Sequence, residues 1–254
     1  MRFIVIIPAR YQSTRFPGKP LALLGDKSII QHVYDNAKLS TDKVWVATDD
    51  ERIATAVKNF GGNYILTRKD HNSGTDRCAE AASKIYKEYP FDVVINIQGD
   101  EPFIKAEQIE SLKSCFSDPK TEIATLIKKA GEKDLFNPNR PKVVIDKNEN
   151  ALFFSRATIP YIRGEKEENW LNKNTFYCHL GMYAYRYNIL QKLTKLSPSL
   201  LEKAESLEQL RWLENGFHIK TAQTNFESIG IDTPNDLENA KKMMNDELGM
   251  INDK

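Results

Sequence analysis

The chain of 254 residues has only three cysteines, Cys78, Cys115 and Cys178. They are far apart and odd in number, which excludes a disulfide framework and suits a reducing, cytoplasmic setting. The four histidines, His32, His71, His179 and His218, are equally scattered, so no zinc site is expected. Long apolar runs are missing. The first, Phe3-Ile4-Val5-Ile6-Ile7, is too short for the apolar core of a signal peptide, and no stretch approaches the ~20 residues of a membrane span. Membrane insertion is therefore not expected. Excess charge of one sign is missing too: Lys plus Arg is 36 against 35 for Asp plus Glu, a net charge of +1. That balance excludes a general nucleic-acid binder and confines any anion site to a local cluster. The Gly-x-Gly-x-x-Gly fingerprint is absent, which removes the usual dinucleotide oxidoreductase. A Walker A loop fails as well, because Ser13 stands where its first glycine would be and Pro20 where its metal-binding hydroxyl would be.

What remains is an ordinary α/β composition, 41% hydrophobic and 28% charged, long enough for a sizeable core and read as one domain over residues 1–254. Strand-like runs at Phe3–Ile7, Val44–Ala47, Tyr64–Leu66 and Asp92–Ile97 alternate with helical patterns. The helices are expected near Ser28–Leu39, Asp50–Phe60, Thr75–Tyr86 and Ala106–Phe116. Thr48-Asp49-Asp50-Glu51 and Ser73-Gly74-Thr75-Asp76 read as capping boxes. Val93-Val94-Ile95 lacks polar alternation, which predicts burial on both faces of a parallel sheet. Longer strands follow at Val143–Ile145, Ala151–Phe154 and Phe176–Tyr185, around a charged insert from Gly164 to Lys173. The spacing then predicts one helix over Pro198–Glu214, with Leu200, Ala204, Leu207 and Leu210 inward and Glu205, Glu208, Gln209 and Trp212 on the other side. A strand near Phe217–Ala222 and a last helix after Thr233-Pro234 complete the chain.

Ligands of open parallel sheets bind at the carboxyl ends of strands. Three motifs fall there. The first is the loop Pro8-Ala9-Arg10-Tyr11-Gln12-Ser13-Thr14-Arg15-Phe16-Pro17-Gly18-Lys19, whose cations and backbone N–H groups suit a triphosphate. The second is Thr48-Asp49-Asp50. The third is Gln98-Gly99-Asp100-Glu101-Pro102, where a carboxylate at the sheet rim suits magnesium shared with phosphate oxygens. Asp232, before Thr233-Pro234, offers a second carboxylate. Each acid also reads as a simple cap. Ser73 at a helix start reads as an anion or base contact, or as a cap with Arg77 in solvent. Arg156 reads as a carboxylate fork or a surface ion pair. His179 and Tyr183 read as pocket or as strand core.

Ile7-Pro8-Ala9-Arg10 with Ser13, Arg15 and Pro17-Gly18-Lys19-Pro20 resembles the signature of cytidylyltransferases that activate acidic sugars. Asn96-Ile97-Gln98-Gly99-Asp100-Glu101-Pro102, Phe154-Ser155-Arg156-Ala157-Thr158-Ile159-Pro160, His179-Leu180-Gly181, Leu207-Glu208-Gln209-Leu210-Arg211 and Gly230-Ile231-Asp232-Thr233-Pro234 follow in order. Together the set resembles the 3-deoxy-manno-octulosonate cytidylyltransferase (CMP-Kdo synthetase) family from residue 3 to about 240.

The resemblance implies a doubly wound α/β nucleotidyltransferase fold: a mostly parallel central sheet flanked by helices, with a protruding dimerisation element in a homodimer. It implies the reaction CTP plus 3-deoxy-manno-octulosonate (Kdo) to CMP-Kdo and diphosphate, with Mg2+, for lipopolysaccharide assembly. Carried over by motif, Arg10 and Lys19 hold the triphosphate and Ala9, Ser13, Ser73 and Gln98 surround the nucleotide. Asp100 and Asp232 bind magnesium, and both are catalytic with Arg10 and Lys19. Arg77, Arg156, His179, Tyr183, Glu208 and Gln209 line the sugar-acid pocket. The insert Gly164–Lys173 aligns with no motif. Another acidic sugar (sialic acid or an 8-amino-Kdo type) and a non-catalytic nucleotide sensor stay open as alternatives.

Overall fold

The computed structural model describes residues 1–227 and 229–252, with side chains described as far as residue 245. The chain forms two compact units, Met1–Ala106 with the C-terminal segment, and Glu107–Glu227.

In the first unit the order is β1 (Phe3–Ala9), the small hairpin β2 (Leu23–Leu24) and β3 (Lys27–Ser28), α1 (Ile29–Lys38), β4 (Val44–Thr48), α2 (Glu51–Asn59), β5 (Asn63–Leu66), α3 (Gly74–Glu88) and β6 (Val93–Asn96). The strands run β6-β1-β4-β5, every neighbouring pair parallel. Ile4–Ile7 and Val93–Ile95 are 0% exposed, as their unbroken apolar runs require of strands covered on both faces. β1 extends through Pro8 and Ala9, which pair with Ala47 and Thr48, so the anion loop leaves the sheet at its carboxyl rim.

The helix starts follow the capping chemistry. Ser28 caps α1, and Ser73 and Asp76 satisfy each other's N–H groups in a full capping box on α3. The α2 cap differs from expectation: Asp50, not Thr48, accepts the Arg52 N–H, because Thr48 is the last residue of β4. The C-terminal helix Pro234–Asn252 packs Leu237 and Ala240 with Leu24, Ile29 and Ile231, beside Phe16 and Phe103. Each fully buried aliphatic side chain of this kind contributes ~1.5–3 kcal/mol.

The second unit holds α4 (Ala106–Cys115), β7 (Ile123–Lys129), α5 (Glu132–Leu135), β8 (Lys142–Ile145), β9 (Ala151–Ser155), α6 (Trp170–Lys173), β10 (Tyr177–Arg186), α7 (Tyr187–Leu193), α8 (Leu200–Glu205), α9 (Glu208–Glu214) and β11 (Ile219–Gln223). β11 is parallel to β7, whereas β7–β10, β10–β8 and β8–β9 are antiparallel. β7 had no counterpart in the sequence reading, although its Ile123–Ile127 is buried. The charged insert is anchored by Trp170, which is buried with Leu135 and Phe176 and stacked on the latter at 6.1 Å.

The single helix expected over Pro198–Glu214 is broken. α8 ends at Ser206, whose φ of 50° is left-handed, and α9 starts after Leu207. The break has a physical cause in Arg156. Its Nε donates to the Glu205 carbonyl at 2.6 Å and its Nη2 to the Ser206 carbonyl at 3.3 Å, which satisfies the carbonyls that end α8. Leu200 is 82% exposed, not core, and Ala204 is exposed too. The expected shared face of Glu205, Glu208, Gln209 and Trp212 does not form.

Candidate active site

The loop after β1 folds back on itself. The Gly18 N–H donates to the Tyr11 carbonyl at 2.9 Å and the Phe16 N–H to Ser13 Oγ at 3.3 Å. Gly18 has a φ of 73°, the left-handed conformation that favours glycine, and it delivers Lys19 into a short turn. Gly99 is needed for a different reason: a Cβ there would stand 2.8 Å from the Pro8 carbonyl oxygen. The turn after β6 thus packs closely on the backbone at the end of β1.

That closeness brings the charges together. Lys19 Nζ lies 2.6 Å from Asp100 Oδ2 and 3.1 Å from Asp232 Oδ1, and Arg15 Nη2 lies 3.1 Å from Asp232 Oδ2. A backbone bond from the Ile231 N–H to the Asp100 carbonyl, 2.9 Å, joins the two acidic segments despite their separation in sequence. Asp236 holds the second segment, accepting from the Asp232 and Thr233 N–H groups and the Thr233 hydroxyl. Burial works against its charge, but these hydrogen bonds outweigh it and hold the carboxyl below its ordinary pKa. The pattern Thr233-x-x-Asp236 could have revealed this residue as a cap.

A cleft of about 280 Å³ opens beside these groups, lined by Ala9, Arg10, Ser13, Lys19, Ser73, Arg77, Gln98, Asp100 and Asp232, among others. All of the expected nucleotide and metal residues therefore share one cleft with Arg77. Arg10 is exposed at its mouth, whereas Arg77 is 4% exposed and spends Nη1 on Asp49 at 3.1 Å and Thr67 Oγ1 at 2.6 Å. Arg77 is a buried strut and not the solvated cation that a bare cap would leave.

His71 also lines this cleft, paired through Nε2 with Glu80. Burial opposes the Glu80 charge, yet Lys84, the Arg68 N–H and His71 prevail and hold its pKa down to about 2. Glu80 thus ties the Thr67–His71 segment to α3, a role no local motif announces.

The remaining expected residues lie in the second unit. Arg156 donates Nε, Nη1 and Nη2 to the carbonyls of Glu205, Pro138 and Ser206, and no carboxylate pairs with its guanidinium among the described residues. Two of its five N–H bonds remain. Glu208 accepts from Arg211 Nη2 at 2.8 Å. His179 sits between Phe154 and Tyr183, with Nε2 3.0 Å from Thr125 Oγ1. Burial pushes it down to about 3, so it is neutral at physiological pH. Burial, and then the Glu208 charge, raise Tyr183 well above the usual phenol range. Among the described residues, Gln209 Nε2 is a buried polar atom without a hydrogen-bond partner. Such an atom suits a ligand rich in hydroxyl groups, since native cores rarely leave polar groups unsatisfied.

The family model for cytidylyltransferases matches residues 4–244. Similar relatives named 3-deoxy-manno-octulosonate cytidylyltransferase come from Parabacteroides distasonis, 58% identical over 94% of this chain and 97% of the relative, and Bacteroides thetaiotaomicron, 55% identical over 96% and 98%. A solved structure of CMP:2-keto-3-deoxy-manno-octonic acid synthetase complexed with CTP is 41% identical. It superposes with a TM-score of 0.89 over 97% of this chain and all of that one. A cytidylyltransferase from Leptospira borgpetersenii, 17% identical with a TM-score of 0.61 over 95% of this chain and 85% of that one, shares the fold. The chain belongs to the 3-deoxy-manno-octulosonate cytidylyltransferase family, an enzyme family built on a mostly parallel sheet flanked by helices.

Proposed function

We propose that the protein catalyses CTP + Kdo → CMP-Kdo + diphosphate, supplying activated Kdo for lipopolysaccharide assembly. The observation that carries this reading is the gathering of Arg10, Arg15, Lys19, Asp100 and Asp232 around one cleft. Relatives 55–58% identical along nearly the whole chain bear the corresponding name.

In this reading the anomeric hydroxyl of Kdo attacks the α-phosphorus, the bond to the β-phosphate oxygen breaks, and the hydroxyl proton leaves to solvent. No protein residue forms a covalent bond. Arg10 and Lys19 neutralise the triphosphate and the departing diphosphate, while the backbone at Ala9 and the side chains of Ser13, Ser73 and Gln98 orient the nucleotide. Asp100 and Asp232 would hold Mg2+. Their fit is supported by their common aim at the Lys19 ammonium, a cation already standing between them, and by their hardness as oxygen donors. When bound, the ion supplies charge neutralisation at the α-phosphate. Arg156 meets the sugar carboxylate with its remaining N–H bonds. Neutral His179, together with Tyr183, Glu208 and Gln209, meets hydroxyl groups, and Arg77 braces the nucleotide cleft through Asp49 and Thr67.

We further infer that residues 1–254 act as one catalytic domain and as a homodimer in the cytoplasm, with a protruding dimerisation element. The test is diphosphate release across four nucleoside triphosphates and a panel of sugar acids that includes Kdo, 8-amino-Kdo and sialic acid. Release confined to CTP with Kdo supports the reading. Preference for another sugar acid reassigns the substrate, and CTP binding with no release under any sugar reduces the protein to a nucleotide sensor.

A further inference from the structure

Lys19 owes its position to a loop whose shape is set from outside the cleft. Asp50, the cap of α2, accepts the Arg52 N–H at 3.0 Å, and its carboxylate grips the Arg52 guanidinium in a fork, Nε at 2.9 Å and Nη2 at 2.7 Å. Held in this way, the guanidinium lies over the Tyr11 ring, 3.3 Å from its centroid. Such stacking is attractive because the ring face carries negative charge. The same ring packs on Gly18, where a Cβ would come within 3.0 Å of Tyr11 Cζ and Oη. The Tyr11 carbonyl receives the Gly18 N–H at 2.9 Å, and Lys19 is the next residue. Contacts therefore run without a gap from α2 through Asp50, Arg52, Tyr11 and Gly18 to Lys19 and its two carboxylates.

We propose that Arg52 is a positioning residue for the phosphate-binding loop, acting through the ring of Tyr11. The proposal rests on the reading that this loop binds the triphosphate. Arg52 is not a phosphate ligand itself. Its charge is matched by Asp50, and neither Arg52 nor Tyr11 lines the cleft. Its contribution is to limit the conformations open to Tyr11–Gly18, so that less ordering remains to be done when the nucleotide binds.

The experiment measures CTP binding by calorimetry, steady-state kinetics, and trypsin cleavage after Arg10 or Arg15 without nucleotide, on Arg52→Ala, Tyr11→Leu, their double variant, Arg52→Lys and Tyr11→Phe. A cation–π contact corresponds to about two- to fivefold in affinity. Arg52→Ala and Tyr11→Leu should each raise the Kd and KM for CTP by about that factor, with kcat falling less than about twofold. The double variant should be no worse than Tyr11→Leu, because both act on one path. Arg52→Lys should recover part of the loss, and Tyr11→Phe should lose less than Tyr11→Leu. Cleavage of the loop should accelerate in both truncations. The salt dependence of CTP affinity should match wild type in Arg52→Ala, since no phosphate contact is lost.

Wild-type affinity and cleavage rate in Arg52→Ala would overturn the proposal. So would additive losses with a weakened salt dependence, which would make Arg52 a direct phosphate ligand. Failure of the wild-type protein to bind CTP would instead defeat the functional reading, and the cleavage arm would still decide whether Arg52 orders the loop.

Discussion

Lys19 Nζ stands 2.6 Å from Asp100 Oδ2, joining the loop after β1 to the acidic turn after β6. With Asp232 and Arg15 the contact completes a quartet of two cations and two anions whose formal charges cancel. In the proposed reaction, phosphate oxygens would compete for Lys19 and Arg15 and leave the carboxylates available to a second cation. On the proposed function this makes Asp100 the residue whose charge matters most.

Asp100→Asn keeps the side-chain volume and removes the charge. Turnover should fall by about 10²–10³, the scale of losing one preorganised electrostatic contact. Circular dichroism and the thermal midpoint should stay close to wild type. Near-normal turnover in saturating magnesium would remove Asp100 from the catalytic set.

Gly99→Ala places a methyl group against the Pro8 carbonyl oxygen, backbone on both sides, where nothing flexible can yield. Overpacking of this sort costs about 1–3 kcal/mol. The thermal midpoint should fall by several degrees and the KM for CTP should rise, because the strain falls between the end of β1 and the turn after β6, both of which line the cleft. An unchanged midpoint would mean that the two segments separate freely.

Glu80 links the Thr67–His71 segment to α3, and its pKa is held down to about 2 from an ordinary 4.5. A depressed carboxylate stabilises the fold above its unfolded pKa and loses that contribution as pH falls through the folded one. Glu80→Gln should therefore be less stable than wild type at pH 7 by roughly 1–3 kcal/mol. The gap should narrow between pH 4.5 and about 2 and close below that. Denaturant titrations at several pH values check this. A gap that stays constant with pH would assign the loss to packing alone.

Arg156→Lys replaces a planar fork that satisfies three carbonyls with a single ammonium. The end of α8 should loosen, lowering the thermal midpoint by about 2–4 °C per kcal/mol lost. The KM for Kdo should rise more than that for CTP. Equal increases for both substrates would place Arg156 outside the sugar site.

Much of the first unit was legible because its signals are local. Unbroken apolar runs mark the parallel strands, and Ser28 and Ser73 mark helix starts. The cleft was legible only through motif order, since nothing in the spacing of Asp100 and Asp232 reveals the backbone bond that unites them. The second unit was harder to read. The Ser206 break lies inside a run with good helical periodicity and is set by Arg156, fifty residues earlier. β7 ends in two lysines, and the Glu80 and Arg52 networks depend on partners that meet only in the folded chain. Propensity and periodicity carry no record of such contacts.

The most direct measurement follows the phosphorus atoms by nuclear magnetic resonance while the protein is incubated with CTP, magnesium and Kdo. The expected result is loss of the three CTP signals with equal growth of one phosphodiester and inorganic diphosphate, dependent on both Kdo and Asp100. Unchanged CTP, or its conversion to CMP and diphosphate without the sugar, would contradict the account.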